Sequence, residues 1–239
     1  MNKILLACPV SEYKNYILPH WLTRVKELRK VYPFDVLLVD NSPDKFYHRG
    51  LYKYINATII RRPQLKNETL AETMAECNNI INAHLQKKKY DYLFSLECDV
   101  FPPVDVLPKL LAHQKEIVSA CYNIGHGPDR TLMVQQLILL QNQKSKIINV
   151  LPEHGFNLID GTLKQVYACG LGCILISTET LKNYNFRVEK ELIVHADTFF
   201  HFDMNSKNIP VYLDTSIICT HVNSHWNSIN QKNGNKFRK

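Results

Sequence analysis

The chain has 239 residues, 45% of them hydrophobic and 21% charged, which excludes a disordered protein and allows a full core without a metal or disulfide staple. Its seven cysteines are odd in number and contain no CxxC pair, which argues against a zinc knuckle or a secreted disulfide framework and for a reducing, cytoplasmic setting. The net charge of +7, from 29 basic and 22 acidic residues, suits an anionic partner: a nucleotide, a nucleic acid or a membrane surface.

Residues 3–8 form a short apolar run closed by Pro9. That pattern predicts a buried first strand rather than a targeting segment. Leu18, Trp21, Leu22, Val25 and Leu28 follow at helical spacing, and Pro19 fits a first turn. Residues 35–39 are a second buried strand, stopped by the turn signal Asp40-Asn41-Ser42-Pro43-Asp44. Residues 57–60 are a third, ending at Arg61-Arg62-Pro63. Leu70, Met74, Cys77, Ile81 and Leu85 mark one face of a long helix, and residues 92–96 are a fourth strand ending in Glu97-Cys98-Asp99. This rhythm predicts an α/β fold with a mostly parallel sheet covered on both faces.

The second half is less regular. A helix is expected over 104–111, a strand over 117–122 and antiparallel hairpin structure over 123–165. Gly170-Leu171-Gly172 precedes a strand at 173–176. The apolar stretch 166–176 around these glycines is too short to span a bilayer. A helix over 197–208 leads into strands at 211–214 and 217–219, and residues 223–239 read as a polar, basic tail. We expect one domain over 1–222, in halves 1–103 and 104–222.

Open parallel sheets bind ligands beyond the carboxyl ends of their strands. Three such ends carry suitable groups: Pro9-Val10-Ser11, Asp40-Asn41-Ser42 and Glu97-Cys98-Asp99. One carboxylate there can accept from a base N–H or a sugar hydroxyl. Two carboxylates spaced i, i+2 on a turn can converge on one oxygen-loving divalent ion. Turn chemistry or helix capping accounts for a lone acidic turn equally well. No G-x-G-x-x-G, P-loop or G-x-S-x-G motif is present. His195 and His201 fall on different faces of one helix, which argues against a zinc site there. Cys98, between two acids, is expected to point into the fold.

Five segments occur in a telling order. They are Ile4-Leu5-Leu6-Ala7-Cys8-Pro9-Val10; Asp35-Val36-Leu37-Leu38-Val39-Asp40-Asn41-Ser42; and Tyr90 through Glu97-Cys98-Asp99 to Pro103. Gly170-Leu171-Gly172-Cys173-Ile174-Leu175-Ile176 is the fourth, and Asp197-Thr198-Phe199-Phe200 through Asp214 to His221-Val222 the fifth. Over roughly residues 3–222 this order resembles the nucleotide-sugar glycosyltransferases of the GT-A fold, in the broad family 2 group.

The resemblance implies a Rossmann-like, mostly parallel sheet with a smaller antiparallel portion on the acceptor side. It implies that Pro9, Val10 and Asp40 line the base and ribose site, with Asn41, Arg62 and Cys98 in the same nucleotide-binding set. Glu97 and Asp99 stand where the family has its DxD metal motif, and His221 matches a histidine that completes the site for Mn²⁺ or Mg²⁺. Asp197 matches the general base of inverting members. Gly170 and Gly172 would let the backbone run close to the donor sugar. The implied partners are a nucleoside-diphosphate sugar and a carbohydrate, lipid-linked or protein acceptor; the resemblance argues against nucleic acid and leaves room for peripheral membrane contact.

This sequence departs from the family at three places. Glu97 replaces an Asp, Ala196 stands where a Glu is common, and Glu76-Cys77-Asn78 lies where many relatives have an Arg-Asn pair, for which Arg61 and Arg62 could substitute. A non-catalytic binding protein on the same scaffold is one competing reading. A nucleotidyltransferase is another, although the turn after the first strand has no glycine. Retaining chemistry would use the same metal site without Asp197.

Overall fold

The computed structural model describes residues 1–124, 131–139, 145–149, 158–189 and 195–222. Strands β1 (Ile4–Val10), β2 (Asp35–Asp40), β3 (Thr58–Arg61) and β4 (Tyr92–Leu96) alternate with helices α1 (Leu18–Val31), α2 (Tyr47–Leu51) and α3 (Leu70–Lys88). Then come β5 (Val100–Phe101), α4 (Val106–Ala112), β6 (Ile117–Cys121), β7 (Asn123–Ile124), β8 (Thr131–Leu132), β9 (Val134–Leu139) and β10 (Ser145–Asn149). The chain continues through β11 (Leu163–Val166), β12 (Ala168–Cys169), β13 (Cys173–Ser177), α5 (Ala196–Ser206), β14 (Val211–Ile218) and β15 (Thr220–His221).

The central sheet has eight strands in the order β11-β14-β6-β13-β4-β1-β2-β3. β3, β2, β1, β4, β6 and β14 run one way, and β13 and β11 run against them. Strand alternation divides the core. Leu6, Cys8 and Val10 face α1, whose Trp21, Leu22 and Val25 are fully buried. Leu5 and Ala7 face α3 and α5 through Cys77, Ile81, Phe200 and Met204. Burial on both faces explains why these strands read as continuous apolar runs.

α3 starts at a reciprocal cap, Thr69 accepting from the Glu72 N–H while Glu72 accepts from the Thr69 N–H, and stops at Lys89 in the left-handed region with φ 54°. The antiparallel structure expected after residue 123 is present as β7–β8, β9–β10 and β12–β9. The strands expected at 211–214 and 217–219 are one strand, β14, with a register shift between Asp214 and Ile218 against β6. Asp214 Oδ1 takes the Ser216 N–H at 2.9 Å, so the polar Thr215-Ser216 pair makes a bulge rather than a break. Residues 125–130, within the span where hairpin structure is expected, and residues 223–239 lie outside the described residues.

Candidate active site

β1 has β2 on one side and β4 on the other, so the strand order reverses there and leaves a crevice at the carboxyl ends. Glu97 and Asp99 leave β4 in a tight turn: the Glu97 N–H donates to Gly172 O at 2.9 Å and the Val100 N–H to Glu97 O at 3.0 Å. β15 pairs with β5 and sets His221 opposite Val100, while the Val222 N–H donates to Asp99 O at 2.8 Å. One ligand atom from each of Glu97, Asp99 and His221 lies within 4.8 Å of the others. The structure thus gathers the three residues expected to share a cation.

His221 Nδ1 lies 2.8 Å from the Asn123 carbonyl, so it carries a proton and donates it there. In the neutral ring this turns the Nε2 lone pair toward Asp99, 3.6 Å away. Burial pushes the Glu97 carboxyl up, the charge of Asp99 adds to this, and His221 and Lys14 oppose it. Burial also acts to raise Asp99, but His221 and Lys14 outweigh it and hold that carboxyl low. A half-buried and a buried carboxylate with a directed imidazole nitrogen make a donor set that fits Mg²⁺ or Mn²⁺.

Two residues of this site were not legible as site residues in the sequence. Lys14, at the end of a short 3-10 turn over Glu12–Lys14, sets its ammonium on Asp99 Oδ2. Tyr122, 4% exposed, accepts the Gly172 N–H at 3.0 Å and meets the His221 ring edge-on, centroids 5.6 Å apart. It also gives Gly170 and Gly172 a reason different from the expected one. A Cβ on Gly172 would lie 2.6 Å from the Tyr122 hydroxyl and 3.2 Å from Glu97 Oε2, and a Cβ on Gly170 would strike the same hydroxyl. The space over both glycines is filled by Tyr122, so they are small to admit that ring.

At the ends of β1–β3 the expected nucleotide residues fall as follows. Asp40 is fully buried; its Oδ1 accepts the Ser42 N–H at 2.9 Å and its Oδ2 lies 3.9 Å from His48 Nδ1. Among the described residues, Asp40 Oδ2, His48 Nδ1, Ser11 Oγ and Arg61 Nη1 are buried without a hydrogen-bond partner. Buried polar atoms are nearly always paired, so this cluster suits a polar ligand. Pro9 is half-buried and Val10 is in the core, its carbonyl accepting the Asn41 N–H at 2.9 Å. Asn41 Nδ2 turns to Met74 Sδ, 3.8 Å away. Arg62 is held by both oxygens of Glu68, and Cys98 is packed in the core beside Cys8.

Asp197 is the second residue of α5, whose cap is His195. Its carboxylate accepts its neighbour's N–H, Thr198 to Oδ1, at 2.8 Å. Burial raises its pKa against the pull of His195, and its charge is felt by both Glu97 and Tyr122. A groove of about 420 Å³ lies far from these groups, at the amino ends of β1–β3 beside Lys3, Asp35 and Tyr90.

No family model and no curated protein matches this sequence. Among solved structures, the mannosyltransferase PcManGT from Pyrobaculum calidifontis in complex with GDP-Man and Mn²⁺ is similar, with a TM-score of 0.61 and 11% identity, over 92% of this chain and 56% of that one. S. aureus TarS 1-349 in complex with UDP-GlcNAc is similar with a TM-score of 0.53 and 13% identity, over 92% of this chain and 59% of that one. The fold is that of the GT-A glycosyltransferases. This chain spans less than two thirds of the length of either relative. Among the described residues, no helix is long and apolar enough to cross a membrane.

Proposed function

We propose that this chain transfers a sugar from a nucleoside-diphosphate sugar to an acceptor hydroxyl, with Glu97, Asp99 and His221 holding Mn²⁺ or Mg²⁺. The observation that carries this reading is the convergence of those three ligand atoms within 4.8 Å at the strand-end crevice of a GT-A fold. When bound, the ion supplies Lewis-acid stabilisation of the charge that builds on the departing nucleoside diphosphate. Asp40, with its unpaired Oδ2, accepts from the nucleoside, and His48, Ser11 and Arg61 complete that end of the crevice. The 1–103 half holds the nucleotide and the 104–222 half the acceptor.

Asp197 takes the proton of the acceptor hydroxyl as its oxygen bonds to the anomeric carbon and the bond to the diphosphate oxygen breaks, a single displacement that inverts that carbon. Desolvation at the first turn of α5 raises the Asp197 pKa and makes its carboxylate a stronger base. Tyr122 keeps His221 and the 170–172 turn in place behind the ligands. The acceptor is a carbohydrate, lipid-linked or protein hydroxyl.

The test is a panel of nucleotide-sugars and nucleoside diphosphates, read by Mn²⁺-dependent thermal stabilisation and by release of the diphosphate. A ligand present at about a hundred times its Kd adds about 2.7 kcal/mol of stability, a shift easily read in a melt. One donor class should stabilise and be turned over with Mn²⁺; no stabilisation by any member contradicts the reading.

A further inference from the structure

We propose that Lys14 is the resident counter-cation of this site: its ammonium competes with the divalent ion for Asp99 and passes to the donor's diphosphate when the ion binds. The inference rests on the reading of Glu97, Asp99 and His221 as cation ligands.

Three observations carry it. The Lys14 ammonium sits on Asp99 Oδ2, the oxygen that also faces His221 Nε2. The Asp99 side chain is 3% exposed, so solvent screens this pair little, while the Lys14 side chain is 24% exposed. The two partners also differ in how firmly they are held. Asp99 is locked in the β4–β5 turn by the Val222 N–H, whereas Lys14 ends a single 3-10 turn in the loop between β1 and α1. The lysine is the partner able to move.

Charge counting gives the consequence. Glu97 and Asp99 offer at most two negative charges, and Lys14 already sets one positive charge on them. A divalent cation added beside Lys14 leaves an excess of positive charge over the two carboxylates. An anionic diphosphate removes that excess and gives the displaced ammonium a new partner. Cation and nucleoside diphosphate therefore bind with positive coupling, and Lys14 is the group that couples them. A lysine that only braced the loop would show neither competition nor coupling.

The experiment titrates Mn²⁺ into the EDTA-stripped full chain by electron paramagnetic resonance, alone and with UDP or GDP as probe. Wild type is compared with Lys14→Met, Lys14→Arg and Asp99→Asn, each checked for folding by its melt. Lys14→Met should bind Mn²⁺ alone about tenfold more tightly than wild type, since a charge-assisted hydrogen bond no longer has to be broken. The nucleotide that binds should tighten Mn²⁺ about tenfold in wild type and far less in Lys14→Met. Lys14→Arg should stay near wild type. Should Lys14→Met not fold, Lys14→Gln carries the same expectation. Unchanged or weaker Mn²⁺ binding by the neutral variant, with binding lost in Asp99→Asn, overturns the inference and leaves the metal reading standing. Absence of Mn²⁺ binding in every variant overturns both.

Discussion

His221 Nε2 stands 3.6 Å from Asp99 Oδ2, although one residue closes the last described strand and the other turns out of the fourth. The contact is fixed by backbone at both ends, through the His221–Val100 register and the Val222 N–H on Asp99 O. Its geometry does not depend on a mobile side chain, which is what a preorganised ligand pair requires.

Asp197 separates stability from chemistry. Asp197→Asn keeps the size and hydrogen-bonding capacity of the side chain in the first turn of α5, so its melting point should stay close to wild type. Sugar transfer should fall by about two orders of magnitude or more, because the amide cannot take the proton. Transfer assays on the folded variant check this; near-normal transfer would remove Asp197 from the mechanism and favour a retaining reaction.

The pair Gly172 and Tyr122 should be non-additive. Gly172→Ala forces a methyl against the Tyr122 ring and should cost about 1–3 kcal/mol. Tyr122→Phe strips the acceptor from the buried Gly172 N–H and should cost about 1–3 kcal/mol. In urea unfolding the double variant should cost less than the sum, because one of the two short contacts, that to the hydroxyl, is gone while the one to the ring carbon Cζ at 2.7 Å remains. Simple additivity would mean that the glycine is not there for the ring.

Much of this was legible in the sequence, for physical reasons that also mark where legibility ended. β1, β2 and β4 were visible because burial on both faces makes them unbroken apolar runs. Glu97, Asp99, His221 and Asp197 were visible as members of an ordered set of segments. Lys14 and Tyr122 were not, because their importance lies in contacts between loops far apart in the chain, and a lysine or tyrosine carries no spacing signal. The glycines at 170 and 172 were visible, but the side chain that requires them was not. The bulge in β14 was hidden because Thr215-Ser216 looks like a break until Asp214 is seen to bridge it.

His201 predicts an acid limb to stability. It is fully buried beside Cys169 Sγ, 3.7 Å from Nε2, and burial lowers its pKa from 6.5 to about 4. The unfolded chain binds a proton here at a higher pH than the folded one does. The stability that depends on a neutral His201 is therefore full above pH 6.5 and lost as pH falls toward 4. The loss should reach about 3 kcal/mol, and His201→Leu should flatten this part of the profile. Urea midpoints of both proteins between pH 7 and 4 check it; parallel profiles would show that other groups control the acid limb.

The cation role of Glu97, Asp99 and His221 is tested most directly by calorimetric binding of the nucleoside diphosphate that the panel selects, in Mn²⁺ and in EDTA. Wild type should bind at least about tenfold more tightly in Mn²⁺, and Asp99→Asn should bind weakly and equally in both. Undiminished binding by wild type in EDTA would contradict the account.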